Sequence, residues 1–154
     1  MPHQSDFVVV DTDNPVLRDC SAVTRTALLE RGRKEHLEGG SVLFGDGQPA
    51  GVVLFPLQGA MQMAKATSRG RRQIICNPTA ESCGGVCMLA FGNQALADVR
   101  AVSASEVLVL DRSDFEQLIH EDPVLCRAAW QSAASCMAHL SELVAQLSFN
   151  KVSE

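Results

Sequence analysis

The stretch Ala97–Pro123, ADVRAVSASEVLVLDRSDFEQLIHEDP, changes its hydrophobic period partway along. Residues 99–110 carry short runs rich in β-branched side chains, which are typical of strands. Beyond Asp111 the apolar residues return at helical spacing, as Phe115, Leu118 and Ile119, and Ser113 is expected to cap this helix. The sequence therefore predicts a change from strand to helix near Asp111. We expect mainly strands in the preceding residues 41–110 and helix in the residues that follow.

Upstream of this stretch, residues 41–110 contain several short apolar runs separated by turn residues. The runs are SVLF, GVVLFPL, MQMAKAT, RQIIC and VRAVSASEVLVL, with the turns GDGQPAG (45–51) and SRG (68–70) among them. Short strands at this spacing predict an antiparallel roll or barrel. Pro56 cannot donate a hydrogen bond to a neighbouring strand, so its strand is expected at an edge or broken there.

A short helix is predicted before the strands, over residues 21–32. Ser21 can cap its beginning and Gly32 can close its end, while Leu28 and Leu29 point inward. The chain is therefore expected to place a helix, a set of strands and further helices in that order.

The clearest periodicity follows Pro123, which is expected to begin a long helix with Asp122 as its N-cap. Apolar residues there recur with alternating spacings of 4 and 3, at Cys126, Trp130, Ala133, Met137, Leu140, Val144 and Leu147. One interpretation is a helix lying on its own core, and the other is a two-helix coiled coil between protomers. The narrow stripe favours the coiled coil, because a helix packed only on its own core usually shows a wider apolar face.

Composition limits the classes of function. The chain has 154 residues, 46% hydrophobic and 20% charged, with a net charge of −5. These values predict one globular domain, and the acidic balance argues against direct binding of nucleic acid. Neither a membrane-spanning run nor a secretory signal is found, so a cytoplasmic protein without membrane contact is expected, with its six cysteines mostly as thiols.

Taken together, these motifs resemble the sensor half of the Crp/Fnr family of bacterial transcription regulators. The resemblance covers roughly residues 20–150, and ADVRAVSASEVLVL…DFEQLI…DP carries it most specifically. It implies an α+β fold: an antiparallel β-roll (double-stranded β-helix or jelly roll) flanked by helices. The expected organisation is an N-terminal segment (1–20), a cyclic-nucleotide-binding-like β-roll (21–122) and a dimerisation helix (123–150). Family members continue into a helix-turn-helix domain, so DNA binding is expected only through a domain absent from this chain.

Two charged anchors of the cyclic-nucleotide-binding members are missing from the matching positions. Gly85 stands where those members have the glutamate that binds the ribose, and Ala95-Leu96 stands where they have the Arg-Ser pair that holds the phosphate. Arg100 belongs to the following strand. We therefore expect cAMP and cGMP to bind weakly or not at all. The candidate effector pocket comprises Cys83, Gly84, Gly85, Val86, Cys87, Ala95 and Leu96.

The cysteines and histidines suggest other ligands. Cys76, Cys83 and Cys87 could hold an iron–sulfur cluster or zinc, with Cys20 joining them, or could act as a thiol switch. The cysteine pattern of Fnr-like members is absent, and small buried core residues are the simpler interpretation. Haem, which haem-sensing members of the family ligate through His or Cys, stays open as another cofactor, although the sequence predicts a surface position for the histidines at 36, 120 and 139.

No catalytic motif is present in the sequence, so an enzyme is not expected. Two hypotheses remain. One is a homodimeric effector-sensing domain of a transcription regulator, with a thiol or iron-based redox sensor as its variant. The other is a ligand-free dimerisation or interaction module.

Overall fold

The structure is a computed structural model that describes residues 14–78, 83–86 and 94–149. The described helices are α1 (Pro15–Asp19), α2 (Ala22–Arg31), α3 (Arg112–Glu121) and α4 (Pro123–Phe149). The described strands are β1 (Arg33–Leu37), β2 (Val42–Phe44), β3 (Val52–Gln58), β4 (Met61–Ala66), β5 (Arg72–Cys76), β6 (Asp98–Ala101) and β7 (Ser105–Asp111). None of the described helices is long and apolar enough to cross a membrane.

The strands form two antiparallel sheets, with the orders β1-β7-β3 and β2-β6-β4-β5. The predicted β-roll is thereby confirmed. Pro56 lies in β3, an edge strand of the three-stranded sheet, and the register shifts directly after it. The run at residues 99–110, which looked continuous in the sequence, divides at residues 102–104 so that β6 and β7 enter different sheets.

Successive side chains of β3 and β7 point to opposite faces of their sheet, so this one sheet contributes to two hydrophobic cores. Val107 and Val109 of β7 face the second sheet, where they join a cluster with Met61 and Val99. Leu108 and Leu110 point the other way, into a cluster with residues of the four helices. Because successive side chains of a strand point to opposite faces, the continuous apolar run of β7 indicates burial on both sides.

The first predicted helix is confirmed as α2, with the predicted ends. Ser21 Oγ accepts a hydrogen bond of 3.1 Å from Thr24 N, and Gly32 is the C-cap. Leu28 is fully buried, whereas Leu29 is half-buried.

The predicted cap of α3 was wrong. This helix begins at Arg112 with Asp111 as its N-cap, and Ser113 lies within its first turn. Arg112 N donates a hydrogen bond of 2.8 Å to Gly51 O, and Arg112 Nε lies 2.7 Å from Glu116 Oε1. The helix therefore starts immediately where β7 ends, two residues earlier than a Ser113 cap requires.

Asp122 joins the beginnings of two helices, and its role as the cap of α4 is confirmed. Its Oδ1 accepts hydrogen bonds from Val124 N (2.9 Å) and Leu125 N (3.3 Å), while Oδ2 accepts from Ser21 N at the start of α2 (3.0 Å). Burial acts to raise the pKa of this carboxyl, but the hydrogen bonds from Ser21, Thr24, Leu125 and Val124 outweigh it and lower the pKa to about 2.

We expect Asp122→Ala to lower the free energy of unfolding by about 1–2 kcal/mol at neutral pH, the usual cost of losing a cap. The pKa of Asp122 is lower in the folded chain than its ordinary value of 3.8. Its contribution is therefore complete above about pH 4 and is lost as the pH falls toward 2. Urea unfolding at several pH values measures this. The neighbouring exposed Glu121→Ala serves as control, and an Asp122→Ala effect that stays constant down to pH 2 would contradict the assignment.

Candidate functional site

A cleft of about 550 Å³ lies between the β-roll and helix α4. One wall consists of Met63 in β4, Cys76 at the end of β5, the following residues Asn77 and Pro78, and the segment 83–86. The other wall is one face of α4, from Val124 to His139, with α1 closing one side. Its volume is within the range of small-molecule sites.

The segment 83–86 reaches the cleft because its backbone packs tightly against β3. Gly84 N donates to Leu54 O at 2.7 Å, and Leu54 N donates to Gly84 O at 3.0 Å. A Cβ atom at Gly84 would lie 2.8 Å from Leu54 Cδ1 and 3.0 Å from Pro78 Cγ. Gly85 follows with a φ of 84°, a conformation that residues with a side chain rarely adopt. A side chain at position 84 would have to displace Leu54 and Pro78, and one at position 85 would strain the backbone, so glycine suits both positions.

Cys83 connects the segment to α4. Its side chain is buried, and its Sγ donates to Ser132 Oγ at 3.3 Å, while its backbone N donates to the same oxygen at 3.4 Å. Burial raises the pKa of the Cys83 thiol. Cys83 is therefore a neutral thiol that fixes the β-roll against the helix.

Two further cysteines line the same cleft. Cys76 Sγ donates to Met63 Sδ at 3.2 Å on the β-roll wall, and Cys136 lies on the α4 wall together with His139. Among residues 14–78, 83–86 and 94–149, no group of three or more His, Cys, Asp or Glu side chains is arranged to hold a metal ion. Cys87 is outside the described residues, so the proposed ligand set of Cys76, Cys83 and Cys87 remains a prediction.

The predicted pocket residues divide into two groups. Cys83, Gly84, Gly85 and Val86 line the cleft, whereas neither Ala95 nor Leu96 is among its lining residues. Ala95 is buried inside the roll, where its backbone exchanges hydrogen bonds of 2.8 Å with the turn at residues 47–48. Leu96 is exposed, and its carbonyl oxygen accepts a hydrogen bond from Lys65 Nζ at 2.8 Å. Contact between an effector and these two residues remains a prediction.

Charge is sparse within the cleft. Among the described residues that line it, Arg127 is the only Arg or Lys, and its side chain is exposed on α4. Arg100 lies in β6, as expected, with its Nη2 3.8 Å from Asp98 Oδ2 and away from the cleft. The described lining thus lacks a buried cation that could pair with a phosphate.

An apolar stripe with several exposed side chains also runs along α4, and it shares Ala133 with the cleft lining. Leu125 and Ala129 are buried against the core. By contrast, Trp130 is 74% exposed and Met137 65% exposed, and the predicted seam continues through Val144 (61%) and Leu147 (50%). The other seam residues, Cys126, Ala133 and Leu140, are half-buried. One helix therefore contacts the core, lines the cleft and presents an apolar stripe.

The chain is thus a β-roll domain with a long C-terminal helix and a cleft of small-molecule size between them. The chain belongs to the cyclic nucleotide-binding domain family, whose model matches residues 34–122. No curated protein matches the sequence.

Solved structures of Crp/Fnr-family regulators have the same fold, which confirms the resemblance. FixK2 from Bradyrhizobium japonicum is 23% identical, with a TM-score of 0.62 over 72% of this chain and 55% of its own. The c-di-GMP responsive regulator CLP from Xanthomonas campestris is 15% identical, with a TM-score of 0.74 over 84% of this chain and 65% of its own. A CooA variant from Carboxydothermus hydrogenoformans is 14% identical, with a TM-score of 0.71 over 86% of this chain and 84% of its own. The chain thus spans less than two thirds of FixK2 and CLP, and at these identities the likeness shows the fold.

Proposed function

We propose that this chain is the effector-sensing and dimerisation domain of a cytoplasmic Crp/Fnr-type transcription regulator that contacts DNA through a separate domain. The observation that carries the proposal is the cleft of about 550 Å³, because α4 forms one of its walls and also bears the apolar stripe. A ligand that prefers one position of α4 would shift the equilibrium between two arrangements of the dimer. A ligand-free interaction module has no use for such a cleft.

We propose further that the effector is neither cAMP nor cGMP. The matched position of the ribose-binding glutamate is Gly85, whose positive φ would strain any residue with a side chain. The matched position of the phosphate-binding arginine is Ala95, which is buried. A phosphate held away from water without a charged partner loses several kcal/mol, on the order of three decades of affinity.

Isothermal titration calorimetry with cAMP and with cGMP tests this part of the proposal. We expect no saturable heat up to millimolar nucleotide, because neither charged anchor is present. Saturable binding of either nucleotide at micromolar concentration would contradict the argument from the missing anchors. The single variant Arg127→Ala then shows whether the one cation of the described cleft lining accounts for that binding.

The homodimer is proposed to form through the stripe on α4. Alternating spacings of 4 and 3 place the stripe residues along one line of the helix, the arrangement found in two-stranded coiled coils. An exposed apolar line of this kind on one side of a long helix is usually covered by a partner. A second copy of the chain provides the same stripe, as two-fold symmetry requires.

A thiol-based sensor is the second candidate, and the shared position of Cys76 and Cys83 in the cleft favours it. Burial raises the pKa of Cys83 and shields its sulfur from solvent, which makes it a poor nucleophile. Cys76 and Cys136 are only half-buried, so an oxidant reaches them more easily. An iron–sulfur cluster would require further ligands such as Cys87. Optical spectra of protein purified without oxygen distinguish the two, because only a cluster absorbs in the visible region.

A further inference from the structure

We infer that the Met63–Cys76 end of the cleft is a binding site for a soft monovalent cation of the Cu⁺ or Ag⁺ type. The inference rests on the proposed role of the cleft as the ligand site and names a ligand class for it. Met63 and Cys76 are register partners on the neighbouring strands β4 and β5. Their sulfur atoms lie 3.2 Å apart, and both residues line the cleft.

The two sulfurs form a pair of soft donors. Thiolate and thioether ligands together select Cu⁺ over harder ions such as Mg²⁺ or Ca²⁺. The two sulfur atoms are within hydrogen-bond distance of each other, and a soft cation bound between them would replace the thiol hydrogen of Cys76. In that exchange the S–H bond breaks, the proton passes to solvent and an S–metal bond forms, with no change of oxidation state.

The geometry permits this exchange after a modest movement. Metal–sulfur bonds are about 2.3 Å in the well-known zinc sites. Two such bonds in a line separate the sulfurs by up to roughly 4.6 Å, so the present pair must widen. Met63 can accommodate the change because its unbranched side chain has three rotatable bonds. Met63 is buried, whereas Cys76 is only half-buried where it lines the cleft, so much of the widening can come from the Cys76 side chain.

The surrounding donors favour a cation of low coordination number. Zinc usually takes four ligands, and the described residues provide no group of three or more His, Cys, Asp or Glu for it. Cys136 and His139, three residues apart on α4, line the facing wall and lie on the same side of the helix. A bound cation that recruited either would draw α4 toward the β-roll, which connects the site to the dimerisation helix.

Metal titrations on four forms of the chain test the inference: wild type, Cys76→Ser, Met63→Leu and Cys126→Ser. Cys126→Ser is the matched control, because Cys126 is a half-buried cysteine of α4 outside the cleft lining. Ag⁺ is used first, since it has no redox chemistry here, and Cu⁺ follows without oxygen. A competing chelator suppresses weak binding to other thiols, and native mass spectrometry counts the ions retained.

We expect one retained ion per chain in wild type and in Cys126→Ser. The dissociation constant for the metal ion should rise roughly 100-fold in Cys76→Ser and roughly 10-fold in Met63→Leu. Changing a residue that only supports a metal ligand usually weakens binding by about 10- to 100-fold, and loss of a ligand itself should cost at least as much. Equal affinity in Cys76→Ser and wild type would overturn the inference. So would an unchanged affinity in Met63→Leu, because the thiol alone would then bind the ion.

Failure of this site and failure of the proposed function give different results. Circular dichroism first establishes that each variant folds. A folded dimer that retains no ion removes the cation site and leaves the sensor domain intact. A monomer that retains one ion through Cys76 keeps the site and removes the proposed dimer.

Discussion

Met137→Asp is expected to convert the chain from a dimer to a monomer at micromolar concentration. Met137 lies in the middle of the stripe on α4 and is 65% exposed in the single chain. In a two-fold seam each protomer would bury the new carboxylate against its partner, without an opposite charge. Burying an unpaired charge costs several kcal/mol, so the dissociation constant should rise by about 10³ or more.

Light scattering coupled to gel filtration measures the mass directly. Ala138→Asp is the matched control, because Ala138 is the next residue of α4, is exposed, and lies outside both the stripe and the cleft lining. It introduces the same charge and should leave the dimer unchanged. If Met137→Asp remained dimeric, or if Ala138→Asp dissociated equally, the seam assignment would be incorrect.

Phe115→Ala is expected to destabilise the fold by about 3–5 kcal/mol, the usual cost of emptying a buried aromatic site. Phe115 of α3 is fully buried, and its ring centroid lies 6.2 Å from that of Phe55 in β3. The same cluster contains Leu28 of α2 and Leu125 of α4. The cavity would therefore open where α2, α3 and α4 meet the three-stranded sheet.

Urea unfolding followed by circular dichroism measures this loss. Val23→Ala is the control, because Val23 lies on α2 with 80% of its surface exposed and should change stability by less than about 0.5 kcal/mol. A Phe115→Ala loss no larger than that of Val23→Ala would show that the helices do not share one core with the sheet.

The fold could be predicted from sequence because its main signals are local. The structure of a segment could be predicted from its own residues: from the apolar runs at β3 and β7, the turn residues between strands and the proline at position 56. The long helix was equally clear, since a period held over three heptads needs no knowledge of the rest of the chain.

Strand β1 was not predicted because its sequence, RKEHL, is mostly charged. It is an edge strand that pairs only with β7 in the described sheet, and ion pairs support it. Lys34 Nζ lies 3.6 Å from Glu106 Oε1, and Arg33 Nη1 lies 3.4 Å from Asp111 Oδ1. The charged side chains suit an exposed edge, but their pattern shows no apolar period.

The cleft could be predicted only in part. The glycine pair and Cys83 indicated its β-roll wall, whereas His139 was predicted at the surface and Cys136 was not singled out. They line the cleft because the helix packs beside the end of β5, a contact between residues far apart in sequence. The approach of Met63 to Cys76 likewise depends on the pairing of β4 with β5.

Acrylamide quenching of Trp130 fluorescence in the unmodified chain tests the central claim most directly, namely that the stripe on α4 is a dimer seam. Trp130 is the only tryptophan and the chain has no tyrosine, so the emission comes from this residue alone. It is 74% exposed in the single chain. We predict weak quenching and blue-shifted emission at micromolar concentration, both lost on dilution as the dimer separates. Strong quenching that does not depend on concentration would mean that nothing covers the stripe, and would contradict the account.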